Sequence, residues 1–145
     1  MSLDKKQDAV SIELTGDDTA LEKARLFLLE QATEHGLPAS KTFHLELALE
    51  ELLVNVVNYA YKETPGELFT VTCCRDADFL IVSIIDVGPA FNPLTKEAPD
   101  LDKSIEDREI GGLGIFLTRE MVDEFAYERH DGKNISTFKL MLCDT

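Results

Sequence analysis

The sequence predicts an α+β two-layer sandwich: a mixed, mostly antiparallel sheet with helices on one face. Three observations carry that expectation. Two pairs of apolar or β-branched runs are joined by turns so short that only antiparallel neighbours can use them. Two long segments place apolar residues at helical spacing. The length of 145 residues, 44% hydrophobic and 29% charged, suits one domain whose core needs no disulfide or metal staple.

Val10 to Leu14 (VSIEL) alternates and reads as a short strand, ended by Gly16-Asp17-Asp18. Asp17 or Asp18 caps a helix through ALEKARLFLLEQATEHG, which stops at Gly36. Pro38 and Ser40 open a second helix, KTFHLELALEELLVNVVNYAYKE, ending before Pro65-Gly66. Glu67 to Arg75 and Asp78 to Asp86 form a hairpin turned at Asp76-Ala77. From Gly88 to Ile110 the chain is polar with three Pro, a long loop of the kind usually reserved for function. Gly111-Gly112-Leu113-Gly114 leads into a helix, IFLTREMVDEF. The last hairpin joins Ala126 to His130 and Ile135 to Leu142 through Asp131-Gly132, a dipeptide suited to a tight β-turn.

Charge narrows the function. With 14 Lys+Arg against 28 Asp+Glu the formal net charge is -14, which argues against nucleic acid as a partner because phosphate backbones need clustered cations. No run of about 18 apolar residues is present, so no membrane span is expected. The N-terminus lacks an apolar h-region. Cys73, Cys74 and Cys143 contain no CxxC pair and read as reduced thiols in a cytoplasmic protein.

The second helix carries an unusual polar stripe. On a helical wheel His44, Glu51, Asn55, Asn58 and Lys62 fall within an arc of about 60°, opposite Leu45, Leu49, Leu52, Leu53, Val56 and Ala60. A solvated face is the ordinary explanation for such a stripe. Asparagine, however, is a poor mid-helix residue, and this face has two. Glu51 and Asn55, at i and i+4, set a proton acceptor beside a neutral oxygen suited to Mg²⁺. Elsewhere, Ile84-Ile85-Asp86-Val87-Gly88 ends a buried-looking strand in a carboxylate. That group could accept a hydrogen bond from an exocyclic amine such as adenine's, with Gly88 letting backbone approach the ring. Gly111-Gly112-Leu113-Gly114 precedes a helix whose bare amides suit phosphate. Neither the Rossmann nor the P-loop glycine pattern matches.

Taken together, the order and spacing of these segments resemble the Bergerat-fold (histidine-kinase-like) ATPases, with Glu51–Asn55 as the N box and Asp86–Gly88 and Gly111–Gly114 as the two glycine boxes. Within that superfamily, ELLVNVVNYAY, GPAFNP and GGLGIFLTREMVDEFAYERHDGKNISTFKL resemble the anti-sigma-factor serine kinases. The resemblance covers roughly residues 8–142. It implies a single histidine-kinase-like ATPase domain over residues 1–145, with 88–114 forming an ATP lid. Glu51 would be the general base and Asn55 the Mg²⁺ ligand. Asp86 would recognise adenine, with Gly88 beside it and Thr137 supporting it through a water. Gly111, Gly112, Leu113 and Gly114 would wrap the phosphates.

The implied cofactors are ATP and Mg²⁺. The implied partners are an antagonist (anti-anti-sigma) protein phosphorylated on serine and a sigma factor held inactive, with a homodimer expected. Two departures stand out: Ala90 replaces a second Gly of the first glycine box, and Tyr59-Ala60-Tyr61 stands where the subfamily often has His-Ala-Tyr. A non-catalytic, ATP-gated binding module is the competing reading, and Glu51 speaks against it. A sensor histidine kinase fragment would need a phospho-accepting His on a dimerising helix pair, a context that His35, His44 and His130 lack.

Overall fold

A computed structural model of the chain describes residues 6–17, 19–56, 67–90 and 118–142. The described strands are β1 (Lys6–Thr15), β2 (Leu68–Asp76), β3 (Phe79–Asp86), β4 (Glu124–His130) and β5 (Lys133–Met141); the helices are α1 (Ala20–His35) and α2 (Thr42–Asn55). The strands form one sheet in the order β1-β2-β3-β5-β4, and all four described pairings are antiparallel. Both helices pack on one face, α1 against β1 and β2, and α2 against α1 and β5. The fold is the two-layer α+β sandwich that the turns and helical periodicities predict.

Strand alternation decides what each face carries. Toward the helices, successive cross-strand rows are Val10, Cys73, Val82, Phe138, Phe125, then Ile12, Val71, Ile84, Ser136, Tyr127. Phe138, Val82, Val71 and Cys73 are wholly buried. They meet Leu28 from α1 and Leu45, Leu49, Leu52 and Leu53 from α2. The opposite face carries Ser11, Thr72, Ser83 and Thr137 in one row, consistent with a face that does not bear the core.

Element boundaries differ from expectation in four places, each for a local reason. β1 runs well beyond Val10 to Leu14 because its pairing with β2 continues to Lys6 opposite Asp76, across a bulge between Gln7 and Val10. The β2–β3 turn sits at Ala77-Asp78, one residue later than predicted, because Asp76 still pairs with Phe79. There Ala77 adopts φ 55, and Arg75 Nε donates to its carbonyl at 3.1 Å. A 3-10 turn over Ala39–Lys41 precedes α2, after Pro38. Helical residues 118–121 give way to β4 at Glu124, so Glu124 and Phe125 belong to a strand and not to the predicted helix. Asp123 makes that exit: its backbone N–H donates to Lys139 O at 2.9 Å and its Oδ2 accepts from Met141 N at 2.7 Å.

The predicted stops hold at two turns. Gly36, at φ 81, ends α1 in a left-handed conformation, and Leu37 N–H reaches back to Ala32 O at 2.9 Å. Asp131 and Gly132, at φ 51 and 75, give the β4–β5 hairpin positive φ at both central residues. Asp17 acts two residues before the N-cap, Thr19: its Oδ1 accepts from both Thr19 N and Thr19 Oγ1, which holds its carboxyl below the ordinary carboxylate value. Asp18, the alternative cap, lies outside the described residues, as do the end of the second helix and most of the long loop. Phe138→Ala would remove a fully buried ring at the centre of the sheet. The expected loss is about 3–5 kcal/mol of unfolding free energy, read from urea denaturation.

Candidate functional site

The described residues of the polar stripe on α2 are drawn in from solvent to different degrees. Glu51 and His44 are half-buried, and Asn55 retains only 4% of its accessible surface. Ala48, Leu52 and Asn55 form one buried line along the helix. Asn58 and Lys62 lie outside the described residues. Asn55 is the informative member. Both its Oδ1 and its Nδ2 are buried without a hydrogen-bond partner, a condition that no other described side chain shows at both polar atoms. A buried amide left unsatisfied costs about 1–3 kcal/mol, so such groups normally find a partner or serve a function. Asn55 Oδ1 is a hard, neutral oxygen of the kind Mg²⁺ accepts when phosphates and water supply its remaining ligands. Among the described residues no three His, Cys, Asp or Glu side chains converge as a metal site.

Strand β3 ends in Asp86, which is 6% exposed and lies on the helix-facing side. Its Oδ1 accepts from Gly88 N at 2.9 Å and from Asn134 Nδ2 at 2.8 Å. Burial raises its pKa, opposed by the bonds from Asn134 and Gly88 and by the positive charge of Arg129. Gly88 is itself buried, and its carbonyl accepts from Arg129 Nη1 at 2.8 Å.

Thr137 does not join this group. β5 pairs antiparallel with β3, so Thr137 stands opposite Ser83 on the other face of the sheet, and the two hydroxyls lie 2.8 Å apart. The β5 hydroxyl on Asp86's side is Ser136, opposite Ile84. Counting back by twos from the core residue Phe138 gives Ser136 and Asn134, so the period of two held the signal for both. Asn134, Tyr127 and Arg129 are the site neighbours that sequence reasoning missed. Gly111, Gly112, Leu113 and Gly114 lie outside the described residues.

Cys73 and Cys74 are free and buried, and burial, with Cys74 nearby, pushes the Cys73 thiol up to about 12. His130 lies exposed beside Asp131, while His35 is buried on α1. Cys143 lies outside the described residues.

A sequence profile described as "Histidine kinase-like ATPase domain" matches residues 14–140. The chain belongs to that family. Among curated relatives of this histidine kinase-like ATPase, the serine/threonine-protein kinase BtrW of Bordetella bronchiseptica is 29% identical over 134 residues, covering 91% of this chain and 92% of its own. The serine-protein kinase RsbW of Listeria monocytogenes is 28% identical over 133 residues, 88% of this chain and 84% of its own.

Two solved structures share the fold. The RsbU and RsbW domains of Rv1364c from Mycobacterium tuberculosis superpose with a TM-score of 0.65 at 19% identity over 93% of this chain. This chain spans about a third (32%) of that protein. Acinetobacter baumannii histidine kinase AdeS superposes at 0.52 and 18% identity, over 92% of this chain and 68% of its own.

Asn55→Ala removes an amide with no hydrogen bond to lose and substitutes the best helix former. Without nucleotide, its urea-unfolding free energy should match or exceed the parent's; a loss of more than about 1 kcal/mol would mean that the amide is satisfied.

Asp86 gives a prediction with a definite sign. Its pKa is higher folded than unfolded, so its ionisation costs stability above the folded pKa. That cost fades as pH falls through the folded pKa toward the ordinary carboxylate value. Asp86→Asn should therefore be no less stable than the parent at pH 7, and any advantage should shrink by pH 4, as urea titrations at the two pH values would show.

Proposed function

We propose that this chain is an ATP- and Mg²⁺-dependent protein serine kinase that acts as an anti-sigma factor. It moves the γ-phosphoryl group of ATP to a serine of an antagonist (anti-anti-sigma) protein. Curated relatives over most of its length are named serine-protein or serine/threonine-protein kinases, which supports protein serine kinase activity. The observation in the site that carries the reading is Asn55, a buried amide with both polar atoms unpartnered, one helical turn beyond Glu51.

In this reading Asp86 accepts a hydrogen bond from the exocyclic amine of adenine, and Gly88 lets the backbone lie close to the ring. Ser136, on Asp86's side of the sheet, is the β5 hydroxyl available to support it through water. Asn55 Oδ1 holds Mg²⁺, which supplies neutralisation of the phosphate charge. Gly111, Gly112, Leu113 and Gly114 offer backbone amides to the phosphates, within a lid spanning 88–114. Glu51 orients the attacking serine hydroxyl and takes its proton as the oxygen bonds to the γ-phosphorus and the bond to the ADP oxygen breaks. Positioning and charge neutralisation carry most of such a reaction.

The product adds about -1.5 to -2 charge to the antagonist, enough to weaken its binding to an already acidic kinase. The sigma factor is the alternative client, and the proposed setting is a cytoplasmic homodimer without nucleic acid or membrane among its partners. No described helix is long and apolar enough to cross a membrane.

Incubation with γ-labelled ATP, Mg²⁺ and candidate antagonist proteins tests the proposal. Label should appear on a partner serine and fall at least about 100-fold in Glu51→Ala, with nucleotide affinity retained. Asn55→Ala should lose the Mg²⁺-dependent part of nucleotide affinity in calorimetry. Tight partner binding that responds to ATP but never yields label would identify a non-catalytic switch.

A further inference from the structure

Asn134 lies near the start of β5 directly across from Asp86, with 2% of its surface exposed. Its Nδ2 donates to Asp86 Oδ1 at 2.8 Å and to Pro89 O at 2.8 Å, with Gly88 O 3.4 Å away. Tyr127, diagonal to it on β4, donates its hydroxyl to Asn134 Oδ1. An amide has two N–H donors at one end and a carbonyl at the other. Asp86 Oδ1, Pro89 O and Gly88 O only accept, so the N–H end of the amide faces them, and the Tyr127 hydroxyl holds the carbonyl end in place. Arg129, opposite Asn134 on β4, holds Gly88 O at 2.8 Å and so pins the segment that follows β3.

The result for Asp86 is asymmetric. Oδ1 receives two protein donors, Gly88 N–H and Asn134 Nδ2, while no bond from a described residue goes to Oδ2. A carboxylate locked through one oxygen presents the other as a fixed acceptor. Such an acceptor favours a purine bearing a 6-amino donor over one bearing a 6-keto oxygen, because the second leaves two acceptors facing each other.

We propose that Asn134, oriented by the Tyr127 hydroxyl, is a positioning residue that sets the preference for adenine by fixing Asp86 with its Oδ2 left for the base. The inference rests on the reading of Asp86 as the adenine acceptor. A merely structural Asn134 would close the end of the sheet and weaken every nucleotide alike.

Calorimetric titration with ADP and inosine diphosphate, both with Mg²⁺, separates the two roles. Asn134→Ala should weaken ADP about tenfold and inosine diphosphate by less than about twofold, so that the ratio of the two affinities narrows. Tyr127→Phe, which deletes one hydroxyl from a half-buried ring, should narrow the ratio in the same direction by about threefold. It carries the test if Asn134→Ala does not fold. The acid limb of ADP binding should also move to higher pH in Asn134→Ala, since the lost bond is one that favours the ionised carboxyl.

Equal weakening of both nucleotides, or an unchanged ratio in both variants, overturns the proposal. Asp86→Asn distinguishes the levels of failure. If it abolishes the adenine preference while the Asn134 and Tyr127 variants keep it, only the role of Asn134 falls. If it leaves the preference intact, the reading of Asp86 falls with it.

Discussion

The register of β3 against β5 is the constraint on which the site depends. Leu80 faces Leu140, Val82 faces Phe138, Ile84 faces Ser136, and Asp86 faces Asn134, all on the side covered by the helices. A column of apolar pairs thus gives way, within four residues of each strand, to a polar pair with almost no solvent contact. Side chains alternate with a period of two, so a slip of β3 by one residue would send Val82 and Asp86 together to the outer face and leave Phe138 without its partner. The burial that holds the core together also desolvates the carboxylate. Stability and site geometry are fixed by one pairing.

Asp86 and Asn55 are both buried polar groups in an apolar setting, and the protein treats them differently. Asp86 is satisfied at one oxygen by a backbone amide and a side-chain amide, which offset part of the cost of its burial. Asn55 receives no such compensation from any described residue. An unsatisfied amide that persists in a helix otherwise lined with leucine is a local inconsistency, and such inconsistencies concentrate where a protein binds or reacts. The two groups come from separate elements, one from the end of a strand and one from the last turn of a described helix.

Much of this was legible in the sequence, for identifiable reasons. Gly36 and Asp131-Gly132 mark their turns because few other residues accept positive φ cheaply. The helix-facing strands read clearly because Leu80, Val82 and Ile84 alternate with residues of the other face. Asn55 stood out as a poor mid-helix residue, whereas Glu51 and Asp86 drew their meaning from the order and spacing of the segments that hold them. What the sequence hid was cross-strand geometry. Thr137 and Ser136 are neighbours in the chain but lie on opposite faces, and only the β3–β5 register says which one shares a face with Asp86. Asn134 looked like part of a turn, whereas the acceptors of its Nδ2 lie 45 to 48 residues earlier in the chain. The end of the predicted helix at Phe125 was misplaced because an apolar residue before a strand fits either period, and pairing with Phe138 decided it.

The bulge between Gln7 and Val10 has a consequence for how the sheet meets other chains. β1 lies at the rim of the sheet, where its outer backbone groups offer a template for a foreign strand. The extra residue there bends that rim and interrupts the regular ladder, so an incoming strand could keep step only along Val10–Thr15. Even that stretch carries Glu13. Open-ended stacking of the fibrous kind is therefore disfavoured by the shape of the rim itself.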